Sequence, residues 1–146
     1  MGAALEMQKR VLVVEDDDNI ATALDYLLTR EGYAHDRIAN GAEAVARIRL
    51  APPDLVLLDV MLPEVSGYDI CQSVRGDPAL GDVKILMMTA RGSMIERRKG
   101  LALGADGFIS KPFEVSELRQ AVRALLDRRP TGNQGAAPAP AKGSDG

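Results

Sequence analysis

The sequence predicts an α/β fold, a doubly wound parallel sheet of five strands with helices on both faces. Three observations predict it. Short apolar runs recur at Arg10–Val14, Asp54–Leu58, Val83–Met88 and Gly107–Ser110, too short for solitary helices and too apolar for surface strands, as strands covered on both faces are. Between them lie stretches with apolar residues at helical spacing, bounded by capping residues and glycines. Strand and helix alternate throughout, which is the pattern of parallel sheets joined by right-handed crossovers.

Arg10-Val-Leu-Val-Val14 is β-branched and apolar, then breaks into Glu15, Asp16, Asp17 and Asp18, a buried strand that ends in acid. From Asn19 the residues Ile20, Leu24, Leu27 and Leu28 keep helical spacing, and Gly32 supplies a stop. Tyr33 to Ala39 is more polar and fits a strand at a sheet edge. Asn40-Gly-Ala-Glu43 has the N-cap and N3 signature of a capping box; Ala44, Val45 and Ile48 continue a helix to Leu50, before Pro52 and Pro53 end it. The third strand ends on Asp59, and Ser66-Gly-Tyr-Asp69 reads as a second capping box that opens a helix through Ile70, Cys71 and Val74 toward Gly76. Cys71 is expected as a small buried side chain. The turn 77–82 leads into a fourth strand that ends at Thr89. Ser93 and Glu96 then cap a helix carrying Ile95, Leu101 and Leu103, with Gly104 as its stop. Gly107–Ser110 is a fifth strand before Lys111-Pro112, and Val115, Leu118, Val122, Leu125 and Leu126 are expected on one face of the last helix. Pro130 to Gly146 has no aromatic or branched aliphatic residue and cannot bury enough surface to order itself. The expected organisation is therefore an N-terminal extension 1–9, one domain over 10–129, and a disordered tail or linker 130–146.

Composition narrows the function. With 146 residues, of which 46% are apolar and 27% charged, the chain suits one globular domain with its own core. A net charge of −3 provides neither a basic surface for nucleic acid nor a polybasic membrane patch, so no direct nucleic-acid or membrane partner is expected. One cysteine and one histidine, Cys71 and His35, exclude an internal disulfide and a Cys/His zinc site. No apolar run reaches membrane-spanning length and the start lacks the apolar centre of a signal peptide, so a cytoplasmic location is expected.

Ligands of open α/β sheets collect beyond the carboxyl ends of the strands. Asp59 alone would pass for a turn-capping residue before Pro63, but the other strand ends deliver Glu15 and Asp16, Thr89, and Lys111 to the same side. Carboxylates crowded there repel one another unless a cation joins them. Together the segments VLVVEDD, DLVLLDVMLP, MMTA and GADGFISKPF resemble the receiver domain of bacterial two-component response regulators, a (βα)5 flavodoxin-like fold, from about Arg10 to Arg129. ARGSMIERRKGLALGADGFISKPFEVSELRQAVRALL looks most like the receivers of winged-helix transcription factors.

The resemblance implies that Asp59 accepts a phosphoryl group from a histidine kinase or a histidine phosphotransfer protein. It implies Mg²⁺ as cofactor, held by Asp16, Asp59 and the backbone carbonyl of Met61, with Glu15 acting through a water. Lys111 would pair with a phosphoryl oxygen and Thr89 would hydrogen-bond another, answering the charge that builds on the phosphorus oxygens. Thr89 and Phe108 would form the conformational switch, although core packing accounts for Phe108 equally well. The Lys111-Pro112 bond would be cis. Met61 and Arg91 would flank the path of the hydrolytic water; neither orients a water, so a long-lived phosphorylated state is expected. Arg97 and Glu117 match one ion pair of a homodimer through the fourth helix, fifth strand and last helix, whereas Ala102, Gly107 and Ala121 stand where other charged partners would be.

The module is expected to be a slow, self-modifying signalling domain rather than a turnover enzyme. An aspartyl-phosphate phosphatase on a similar sheet is the alternative, but it needs a second acid two residues after the nucleophile, where this chain has Met61. A nucleotide-binding module needs glycines or hydroxyls after the first strand, where EDDD would repel phosphate.

Overall fold

A computed structural model describes residues 8–90 and 93–127. The tail expected over 130–146, most of the extension 1–9, and Arg91 lie outside the described residues.

The strands are β1 (Arg10–Val14), β2 (Ala34–Ile38), β3 (Leu55–Asp59), β4 (Lys84–Thr89) and β5 (Gly107–Ser110). The α-helices are α1 (Asp18–Arg30), α2 (Ala44–Leu50), α3 (Gly67–Arg75), α4 (Met94–Ala102) and α5 (Val115–Asp127). All strand pairs are parallel, in the order β2-β1-β3-β4-β5. β2 is an edge strand, as its polarity predicts, though shorter at both ends than Tyr33–Ala39. The chain lays β2 on one side of β1 and β3 on the other, so the order reverses between β1 and β3. A crevice opens at the carboxyl ends of the strands where such a reversal occurs.

Alternation along the strands divides the core into two layers. Val11, Val13, Leu55, Leu57, Leu86 and Met88 face α1 and α5, while Leu12, Val14, Val56, Leu58, Ile85 and Met87 face α2 and α3. All five residues of β3 are buried, and each fully covered leucine there contributes about 1.5–3 kcal/mol relative to an exposed one. The central strand is thereby a rigid mount for Asp59.

Local chemistry sets the helix ends. The Asp17 carboxylate caps α1 by accepting from the Asn19 and Ile20 amides at 2.8 and 3.1 Å, and Gly32 leaves the helix at φ 84°, where a Cβ would be strained. Asn40 and Ser66 do cap, but the expected boxes do not close. Asn40 Oδ1 accepts from the Ala42 amide and opens a 3-10 turn, Gly41–Glu43, before α2; Ser66 Oγ accepts from the Tyr68 amide. In both, the side chain bonds two residues ahead, as short Asn and Ser side chains do in tight turns. Ser93 Oγ does reach the Glu96 amide, at 3.2 Å, but the Glu96 side chain turns to Tyr68 instead of back to the cap.

On two helices, apolar residues stay in contact with solvent. Ile95 and Leu101 are 76% and 45% exposed, since α4 meets the sheet through Gly100. A Cβ at Gly100 would lie 2.8 Å from the Met87 sulfur and 3.2 Å from the Phe108 ring, so glycine sets the approach of the helix. Val115 lies on the same face of α5 as Leu118 and Val122, but at the first residue of the helix it is 60% exposed, beyond the buried part of the stripe formed by Leu118, Val122, Leu125 and Leu126.

Candidate functional site

β1 hands over to Glu15 and Asp16, β3 ends on Asp59, β4 ends on Thr89, and β5 is followed by Lys111. Parallel pairing brings these ends to one edge of the sheet, beside the reversal between β1 and β3. Glu15, Asp59 and Thr89 are buried, while Asp16 is exposed. Carboxylate oxygens of Glu15, Asp16 and Asp59 lie within 4.8 Å of one another. The Lys111 ammonium donates to Glu15 Oε1 at 2.9 Å and stands 3.2 Å from Asp59 Oδ1. The Lys111 amide donates to the Thr89 carbonyl at 2.8 Å, and the Lys111-Pro112 bond is cis, as expected.

Charge follows this packing. Burial pushes the Glu15 carboxyl up and the Asp59 charge adds to that, outweighing the opposing bonds from Lys111 and the Asp17 amide. Burial works against the Lys111 ammonium, but the Glu15 and Asp59 carboxylates prevail and hold it above its ordinary range. Lysine is therefore charged at neutral pH. Against three carboxylates stands one ammonium, so the cluster keeps an excess of negative charge. An all-oxygen donor set with that excess fits a hard divalent cation such as Mg²⁺.

The β3–α3 loop shapes the approach to Asp59. The Met61 amide donates to Asp59 Oδ1 at 3.1 Å, and the Met61 side chain is 53% exposed at the mouth. Val65 donates to the Pro63 carbonyl at 2.7 Å across Glu64, which sits at φ 70°, a γ-turn that re-aims the chain within three residues. Gly67 then returns against the strand it left: a Cβ there would lie 2.4 Å from the Asp59 carbonyl oxygen. Beside the site opens a cleft of about 570 Å³ lined by Asp16, Met61, Tyr68 and Lys99, among others. Across it the Tyr68 hydroxyl donates to the Glu96 carboxylate and Lys99 Nζ lies 4.4 Å over the Tyr68 ring. Burial, then the bond to Glu96, push the Tyr68 hydroxyl up to about 12.

Thus Glu15, Asp16, Asp59 and Lys111 converge as the sequence predicts, with Thr89 at the same edge. Phe108 is buried in the layer that holds Met87, and the Arg97 guanidinium lies 5.8 Å from its ring centre. Glu117 is exposed on α5. Sequence reading missed Gly67, Asp17 and Arg37. The glycine inside Ser66-Gly-Tyr-Asp69 was a signal for close approach; nothing in the polar strand β2 singles out Arg37.

A family-wide sequence model, the response regulator receiver domain, matches residues 11–123. The phosphate regulon transcriptional regulatory protein PhoB of Rhizobium meliloti is 43% identical over 122 residues, covering 84% of this chain and 54% of that protein. The chain spans about half the length of the curated relatives it matches. A chain described as a response regulator of Chloroflexus aurantiacus J-10-fl superposes with TM-score 0.79 at 38% identity, covering 83% of this chain and 99% of that one. The receiver domain of a sensor histidine kinase from Pseudomonas aeruginosa PAO1, solved with a magnesium ion in its active-site cleft, superposes with TM-score 0.76 at 26% identity, covering 83% of this chain and 99% of that one. Fold, strand-end chemistry and sequence agree, and the chain belongs to the response regulator receiver domain family.

Proposed function

We propose that this receiver takes a phosphoryl group on Asp59 from a phosphohistidine of a histidine kinase or histidine phosphotransfer protein and changes conformation in response. The observation that supports it most is the Lys111 ammonium held between Glu15 and Asp59 at the end of a fully buried strand. An Asp59 carboxylate oxygen attacks phosphorus and the phosphorus–nitrogen bond breaks with its electron pair going to the donor imidazole, which leaves as neutral histidine because its other ring nitrogen already carries a proton. Lys111 answers the charge on the phosphoryl oxygens, and the Thr89 hydroxyl is available to another. The Met61 amide holds the Asp59 carboxylate in one orientation, which limits the motion lost on reaching the transition state. Mg²⁺ fits the site, with Asp16, Asp59 and the Met61 carbonyl as ligands and Glu15 beside them, and would stabilise charge on the transferring group.

Incubation with Mg²⁺ and acetyl phosphate, followed by intact mass measurement, tests the assignment. One phosphoryl group should appear on the parent protein and none on Asp59→Asn. An adduct that persists in the variant would place the acceptor elsewhere.

A further inference from the structure

The carboxylate of Asp16 is exposed, and no hydrogen bond or ion pair among the described residues engages it. With no side-chain partner to hold it, the place from which it can reach Asp59 depends on the backbone that carries it. Glu15 is held by its side chain, with Oε1 on Lys111 and Oε2 accepting from the Asp17 amide at 3.0 Å, and by its amide, which donates to the Ile38 carbonyl at 3.1 Å. Those bonds leave the peptide unit between Glu15 and Asp16, whose carbonyl belongs to Glu15. Arg37 on β2 takes it. Its Nε donates to the Glu15 carbonyl at 2.9 Å, while Nη1 of the same guanidinium pairs with Asp18 Oδ1 at 2.9 Å. One planar fork from the edge strand therefore spans the acidic loop, gripping the peptide before Asp16 and the first residue of α1 after it. Free rotation of that peptide would swing Asp16 away from Asp59; a fork with two fixed arms resists this better than a single ammonium can.

We propose that Arg37 is a positioning residue for the divalent cation site: it fixes the Glu15–Asp16 peptide so that the Asp16 carboxylate faces Asp59. This rests on reading Glu15, Asp16 and Asp59 as a Mg²⁺ site. Electrostatics alone gives the opposite sign, because removing a cation beside an acidic loop and releasing Asp18 should draw Mg²⁺ in more tightly. The two accounts therefore separate in one measurement.

Mg²⁺ is titrated into the parent, Arg37→Gln and Arg37→Lys at constant ionic strength, following amide chemical shifts by NMR. Amide hydrogen exchange at Asp16 and Asp17 is recorded in the metal-free proteins. Preserved dispersion elsewhere in the spectra shows that each variant is folded. Positioning predicts an Mg²⁺ affinity weaker by about tenfold in both variants, the lower end of what losing a supporting contact costs a metal site, together with faster exchange at Asp16. Tighter or unchanged binding in Arg37→Gln overturns the proposal. Full recovery in Arg37→Lys would show that one charge near Asp18 suffices and overturns the role of the two-armed fork. If the parent itself binds no Mg²⁺ at these residues, the metal reading fails and the proposal falls with it, an outcome distinct from a parent that binds and variants that bind equally.

Discussion

His35 shows how a single residue off the site carries a measurable signature. Its Nε2 lies 2.6 Å from Asp25 Oδ1 on α1, and its side chain is 16% exposed against 68% for the aspartate. Burial alone would lower the imidazole, but the bond to Asp25, the Tyr33 carbonyl and the charges of Asp25 and Asp36 outweigh it, so the net direction is up from the ordinary 6.5. A histidine raised on folding stabilises the fold fully below its unfolded value, and that contribution is lost as pH rises through the folded value. Urea unfolding should therefore show stability falling as pH rises from about 6.5 through the raised folded value, by about 1 kcal/mol or less because Asp25 is largely in water. Asp25→Asn should flatten that slope, and a slope that survives the change would assign it to another group. At this scale the sequence was informative where chemistry demands a residue type, at Asp59 and Lys111. It was silent where a generic cation such as Arg37 acquires a role only from what folding places beside it.

Among the elements, all five helices were legible, but the way α4 meets the sheet was not. Ile95, Leu101 and Leu103 are six and two positions apart, so they cannot share a face as residues three or four apart do. The helix is held instead by the Gly100 approach and by polar contacts to α3, which no apolar pattern records. A second polar device lies at the opposite end of the sheet from the site. Arg75, closing α3, donates from Nη2 to Asp106 at 2.6 Å and to the Val83 carbonyl at 2.8 Å, and from Nε to the Gly104 carbonyl at 2.7 Å. Asp106 also accepts from the Ile85 amide at 2.8 Å. The pair thus ties α3 to the entrances of β4 and β5, and Gly104, at φ 110°, leaves the room that the Arg75 side chain fills. Asp106→Asn keeps the volume but loses the charge on an acceptor serving two donors. It should cost about 2 kcal/mol in denaturant unfolding while leaving Mg²⁺ affinity unchanged. A matching loss of metal binding would mean that the two ends of the sheet are not independent.

For the whole molecule, stability and site chemistry pull against each other at the carboxyl edge of the sheet. The fold was legible because alternating strands and helices leave few ways to cover a parallel sheet, and the crevice follows from strand order. Its energetic cost was not legible, since repulsion depends on distances that no spacing in the sequence gives. Two buried carboxylates share a single ammonium there and an exposed one stands beside them without it, an arrangement that weakens the fold unless a cation joins it. A ligand that binds only the folded chain stabilises it by mass action, about 2.7 kcal/mol at a hundredfold excess over Kd. For a domain of this size that corresponds to a rise in Tm on the order of 10 °C. Mg²⁺ should produce this rise in a thermal melt, sodium chloride of equal ionic strength should not, and Asp16→Asn should largely abolish it. Asp106→Asn should start from a lower Tm and show the full rise. An equal response to Mg²⁺ in Asp16→Asn would mean that the stabilising cation binds outside the carboxylate cluster, and the excess charge at the strand ends would then need another partner.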